Sequence, residues 1–368
     1  MILMLVMLIA AFPAGRAEET SGTTIWGAVD LRGFDALGEA AGIRARDMME
    51  QLLTGRLRVG SFDIDGMMKK ALSALKNELA GVLLKLLVPV LAWLLLRTLM
   101  GGAPACDSGA GLLCRLCCIR VMLGVFAGMR AAAVETLDRT VEATRAVSPV
   151  LASVLTVTGG SCAILTPASA LCAAAVENAL RGVCVPLCGV AASIAAASNL
   201  PGRFRLTKLF NLFRRGIAWM IGALAAGFAF MLSAQGIAAA QQDALAANAV
   251  GRVLSGMVPL IGRKLSGAAD LVGYSSRAIR GAAGVTGAAL LLAACAGPAI
   301  RLATAVASVK LSAAIVEPAA DKDIAGIIEQ FASVGEMLLA ICAAAVVLSL
   351  LTIGAAISGA GNLFGMGA

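Results

Sequence analysis

NLPGRFRLTKLFNLFRR (Asn199–Arg215) is followed at once by the apolar run Gly216–Ala239 and the polar patch Gln241-Gln242-Asp243; GRVLSGMVPLIGRKLSGAADL (Gly251–Leu271) comes shortly after. The first segment carries five Lys/Arg and no acid. The apolar run is long enough to cross the hydrocarbon core, which a helix of about 20 residues spans. The last segment is too short and too charged for an ordinary span, and Pro259 and Ser266-Gly267 break its amphipathic pattern. A basic loop, a span and a broken insert in succession predict a chain that crosses a membrane several times.

Composition agrees. Of 368 residues, 60% are hydrophobic and 14% charged, and mean hydropathy is +0.90. A soluble domain has about 25% charged residues to cover its surface. The net charge of +8 would point to nucleic acid if the cations were clustered with aromatic side chains. Instead the Lys/Arg sit at span ends and in short loops, where membrane topology accounts for them.

Histidine is absent. Ser-His-Asp and Cys-His catalysis, His-based metal sites and imidazole pH switching go with it. Most of the ten cysteines, among them Cys162, Cys172, Cys184, Cys188, Cys295 and Cys342, lie within apolar spans. There they pack as small hydrophobes. Cys114-x-x-Cys117-Cys118, with Cys106 upstream, has the outline of a metal clip but straddles a membrane boundary, and packing is the expected role. No Gly-x-x-x-x-Gly-Lys-[Ser/Thr] loop occurs, so nucleotide energy would have to come from a partner. The sequence predicts a non-enzymatic chain with no metal and no cofactor.

In chain order, residues 1–17 read as a signal peptide: an apolar h-region, then Gly15-Arg16-Ala17 before a cleavage point. No Lys or Arg precedes that h-region, which leaves a start further upstream or an uncleaved anchor as the alternatives. Residues 18–62 form a short extracytoplasmic segment, too small for a core of its own and so expected to dock on the membrane domain or on partners. The polytopic membrane domain covers 63–358, and 359–368 is a glycine-rich tail. Expected spans are Leu79–Met100, Leu116–Val134, Ala179–Ser198, Gly216–Ala239, Gly281–Val309 and Gly335–Ser358, with Glu135–Arg145 as a charged linker and Glu317–Glu329 as an acidic connector. Ala146–Val176 is apolar but broken at Thr158-Gly159-Gly160-Ser161, and the part before the break has too few residues to cross. It and Gly251–Leu271 read as two re-entrant, broken hairpins, which irregular backbone permits only where protein shields it or a cavity receives it. The fold class is therefore all-α, a polytopic helical bundle.

The positive-inside rule favours this arrangement. With the N-terminal segment outside and Ala146–Val176 returning to its own side, the basic loop Asn199–Arg215 falls in the cytoplasm. Arg252, Arg263, Lys264, Arg277 and Arg280 then fall outside, against the same rule. A coarse repeat emerges, because Leu116–Ser198 and Gly216–Val309 each read span, linker, broken hairpin, span. Glu177, Arg181 and Arg301 lie in or beside spans, where ionisable groups are costly and mark pathways or buried pairs. Arg301, midway along an apolar run after Pro298, is the preferred pathway candidate, together with the Gly159-Gly160 break. Gly124-x-x-x-Gly128, Gly361-x-x-x-Gly365 and the Gly281/Gly284/Gly287 run permit close helix approach.

Phe230–Val272 resembles the signature region of the stage III sporulation protein AE family. Leu206–Arg215 before it and AGVTGAALLLAACAGPAIRL (Ala283–Leu302) after it match as well. Gln235-Gly236, Pro259, Gly262-Arg263 and Asp270 fit the family pattern without a role attached to them. The resemblance implies a multi-pass subunit of a complex joining mother cell and forespore in endospore formers, located in the mother-cell membrane around the forespore. Ring-forming membrane subunits and a separate cytosolic ATPase would be its partners. The role implied is permease-like or export-gate-like within a channel needed for spore development. The alternatives are a stand-alone secondary permease and a scaffold for other subunits.

Overall fold

The computed structural model describes residues 34–35, 64–99, 104–157, 165–198, 206–257, 262–316 and 322–358. Among these every regular element is helical. The helices are α1 (Ile64–Leu99), α2 (Pro104–Val157), α3 (Leu165–Ala179), α4 (Val185–Ser198), α5 (Thr207–Met257), α6 (Gly262–Val316) and α7 (Lys322–Ser358). Five segments are long and apolar enough to cross a bilayer: 111–154, 171–198, 207–233, 281–316 and 324–355.

The helices are longer than hydropathy alone suggests. Glu135–Arg145, expected as a linker between membrane elements, is the uninterrupted middle of α2. Its sequence ETLDRTVEATR has neither Gly nor Pro, and Glu135 pairs with Arg139 one turn on at 3.6 Å. The expected polar break at Gln241-Gln242-Asp243 lies within α5, and that at Ser266-Gly267 within α6. Glutamine and alanine are good helix formers, and one glycine costs a helix only about 1 kcal/mol, so neither site stops it. Pro149 and Pro298 also sit inside helices. What was expected as a re-entrant hairpin over Ala146–Val176 is the meeting of two helices that run past those bounds, α2 ending at Val157 and α3 starting at Leu165. The glycines Gly159 and Gly160 lie between them, outside the described residues.

Between α3 and α4 the chain stays helical but widens into a π turn at Leu180–Cys184, where the Val185 amide donates to the Leu180 carbonyl five residues back. Pro186 supplies the reason. It has no N–H, and in an α-helix its ring would crowd the carbonyl four residues earlier. One wide turn relieves that crowding without ending the helix.

Helix directions follow from pairs of touching residues. Glu135, Thr140 and Val147 of α2 meet Arg301, Cys295 and Gly287 of α6 in reverse order, so these two helices are antiparallel. Met129 and Ala133 of α2 meet Gly335 and Cys342 of α7 in the same order, so those two are parallel. Glu177 of α3 reaches Ser349 and Ser198 of α4 reaches Gln330, which runs α3 and α4 antiparallel to α7. α7 lies at the centre, packed on α2, α3, α4, α5 and α6; α1 covers α2 and α6. α5 is the least buried of the five candidate spans, with Leu212, Trp219 and Phe230 facing outwards. Phe34 of the N-terminal segment is fully buried among Val147, Leu290 and Leu291, beside Gly287.

This register also fixes the level of the Glu135–Arg145 stretch against α7. Cys342 lies level with Ala133, and Ser349 lies close to the level of Thr144 through their shared neighbour Glu177. The charged stretch from Glu135 onwards therefore stands beside the interior of α7. Cys342 is about 10 Å beyond Gly335 at 1.5 Å per residue. The charges flank the apolar length of the central helix instead of lying past its end.

Candidate functional site

The interior face of α2 carries threonine every fourth residue. Thr136 Oγ1 donates to the Ala132 carbonyl at 2.7 Å, Thr140 to Thr136 at 2.8 Å and Thr144 to Thr140 at 2.8 Å. Spacing of four stacks side chains on one helix face, and each hydroxyl is satisfied by the carbonyl one turn back. All three are buried. α6 adds Cys295, whose Sγ is 3.3 Å from Thr140 Oγ1. α7 adds Cys342, whose thiol donates to the Ala133 carbonyl, and Ser349 and Thr352, which bond carbonyls of their own helix. The result is a polar seam through a largely apolar interior.

Glu177 of α3 ends in this seam and is 1% exposed. One carboxyl oxygen lies 2.5 Å from Ser349 Oγ and 3.5 Å from Thr144 Oγ1. The other, Oε2, is buried with no hydrogen-bond partner among the described residues. An ionisable group in that position is costly and marks a site with a task.

One turn along, the π segment brings Arg181 onto Asp138 of α2 in an ion pair. On another side of α2, Arg301 of α6 donates to Glu135 at 3.1 Å. Acids from α2 are thus matched by bases from both flanking helices. Lys310 of α6 pairs likewise with Glu336 of α7. Arg301 is 62% exposed and Glu135 36%, so the Arg301–Glu135 bond is worth no more than about 1 kcal/mol. Reversing it by Arg301→Glu is expected to destabilise the detergent-solubilised protein by about 1 kcal/mol, and adding Glu135→Arg should recover part of that loss, since it also sets a second cation beside Arg139. Equilibrium unfolding of both variants checks it; a double variant no better than the single one removes the pair from the account.

The sequence candidates are dispersed over the structure. Arg301 is exposed on its pair with Glu135, whereas Glu177 is the buried carboxyl among the described residues. Gln235 and Gly236 lie in α5, and Gly262, Arg263 and Asp270 lie in the first turns of α6. Pro259 falls between α5 and α6, outside the described residues. The structure brings Arg301 to Glu135. The seam itself had a signal in the sequence, the Thr136/Thr140/Thr144 spacing, hidden inside a stretch that reads as a linker. Close approach is made at Gly287, a member of the expected Gly281/Gly284/Gly287 run, and at Gly335, which no expected motif contained. A Cβ on Gly335 would lie 2.8 Å from Met129 Sδ and 2.9 Å from Val306 Cγ2, and one on Gly287 would lie 2.9 Å from Val147 Cγ1. Gly124 and Gly128 face open space. Of the cysteine cluster, Cys114 and Cys118 are buried and Cys117 is exposed.

Fold and seam together define a multi-pass helical membrane protein that keeps a carboxyl group in its interior. The family model of stage III sporulation protein AE matches residues 43–360, and the chain belongs to that family. It is 28% identical over 142 residues to the stage III sporulation protein AE of Bacillus subtilis (strain 168). That match covers 38% of this chain and 35% of the relative. No solved structure matches the chain.

Proposed function

We propose that the chain is a non-enzymatic membrane subunit of a channel or secretion-like complex between mother cell and forespore, acting as its permease-like or export-gate-like part. The observation that carries this reading is the polar seam with Glu177. A protein that only anchored others would have no use for a buried carboxyl against the central helix, and an apolar interior would be more stable. Family membership supports the sporulation setting. The mother-cell membrane around the forespore is the location this reading assigns. Ring-forming membrane subunits and a separate cytosolic ATPase are its partners, the latter because the chain has no phosphate-binding loop of the Gly-x-x-x-x-Gly-Lys type.

Reconstitution tests it. Vesicles holding this chain together with its partner subunits are expected to release small solutes, and vesicles holding the chain alone are not. Flux from the chain alone would favour a self-sufficient permease, a reading for which the buried Glu177 also speaks. Normal assembly of partners together with normal sporulation in a Glu177→Leu strain would leave only the scaffold reading.

A further inference from the structure

The contact between Glu177 and Ser349 has a hydrogen count that limits what the carboxyl can be. Two oxygens 2.5 Å apart must share a hydrogen. Ser349 has one hydroxyl hydrogen and two oxygen neighbours, Glu177 Oε1 and the Ala345 carbonyl at 3.0 Å. Thr144 also has one, and the Thr140 carbonyl takes it at 2.8 Å, which leaves its 3.5 Å approach to Glu177 a weak second contact. An ionised Glu177 would then rest on a single hydroxyl donor, with Oε2 a bare anionic oxygen in the interior. Leaving a buried charge so poorly partnered is strongly unfavourable. With a proton on Oε1 every contact has a donor. Glu177 donates to Ser349, Ser349 to Ala345 and Thr144 to Thr140, and Oε2 is a neutral carbonyl oxygen, far cheaper to bury.

We propose that Glu177, Ser349 and Thr144 form a proton-binding site at the junction of α2, α3 and α7. The surrounding charges do not replace the proton. From α2, Arg145 is the charged group whose field reaches Glu177, but its side chain is exposed. Arg139, further along α2, pairs with Glu135. On α3's own extension Arg181 is held by Asp138. α6 contributes the thiol of Cys295 and α7 that of Cys342, and α7 has no charged residue between Glu336 and its end at Ser358. α5, which also packs on α3, has none between Arg215 and Asp243. Release of the proton leaves an anion with one close hydroxyl donor among the described residues, so its solvation takes water, which enters when α3 parts from α7. Proton binding and closure of this seam are one event. Proton binding here depends on the geometry of three side chains in the seam that carries the transport reading, so loss of flux and loss of the acid band are separate outcomes.

Infrared spectroscopy of the full chain in lipid vesicles tests it. At neutral pH a carboxylic-acid C=O stretch is expected, absent from Glu177→Gln and shifted, not lost, in Ser349→Ala where its hydrogen-bond acceptor is gone. Glu177→Gln, which preserves shape and neutrality, is expected to keep the wild-type helical signal and monodispersity. Wild type and Glu177→Gln with identical acid-region spectra would overturn the proposal. So would an acid band that vanishes when sodium replaces choline at constant pH, which would mark a metal-cation site. If Glu177→Gln does not fold, Ser349→Ala decides alone, and an unshifted band rejects the site.

Discussion

Gly335→Val is expected to destabilise the protein by about 2–3 kcal/mol, at the upper part of the range for overpacking a tight interior. At Gly335 α7 lies tight against both α2 and α6. A Cβ there would lie 2.8 Å from Met129 Sδ and 2.9 Å from Val306 Cγ2. The methionine end can swing away, but the valine is stiff about its one side-chain torsion, so the second contact decides the sign. Alanine is a milder probe, because the clash is set against a helix-propensity gain of about 1 kcal/mol; its net effect should be small. Gly326 on the same helix has nothing within 4 Å of its would-be Cβ. Gly326→Ala should therefore stabilise by up to about 1 kcal/mol. Equilibrium unfolding in mixed micelles measures all three, and a Gly335→Val as stable as wild type would mean that α7 does not touch α2 and α6 at this point.

Truncating Phe331 should have a comparable effect for the opposite reason. Its side chain is fully buried in the main core. In water Phe→Ala costs about 3–5 kcal/mol, part of it transfer free energy and part the void left behind. Among lipid-embedded helices the transfer part shrinks, because lipid is as apolar as the interior, and packing contacts carry the association. The void remains, so Phe331→Ala is expected to cost about 2–3 kcal/mol. Trp219 is the control. It is larger but 78% exposed on α5, and Trp219→Ala should stay within about 0.5 kcal/mol of wild type. Equal losses at the two positions would contradict the central place of α7.

The same point separates what could be read in the chain from what could not. Gly335 and Gly124 are both glycines in apolar helical stretches, and the Gly124-x-x-x-Gly128 pattern is the more conspicuous of the two. Packing uses Gly335. Likewise Arg301 and Glu177 are both ionisable groups in apolar runs, but Arg301 lies exposed on Glu135 and Glu177 is enclosed by α2 and α7. Hydropathy gave Glu135–Arg145 as a linker, while helix register sets it beside the middle of α7.

By itself the amino-acid order determined that the chain is helical and multi-pass, where its apolar runs lie and which family it resembles. These follow from local quantities: the transfer free energy of about 20 successive side chains, and the need of every backbone amide for a partner away from water. Only the tertiary structure decided which helix is central, which glycine is tight and which carboxyl is shut in. Lipid and helix interior are equally apolar, so no single-chain pattern tells a face that meets lipid from one that meets another helix. Neighbours up to 209 residues away, as Cys342 is from Ala133, make that choice.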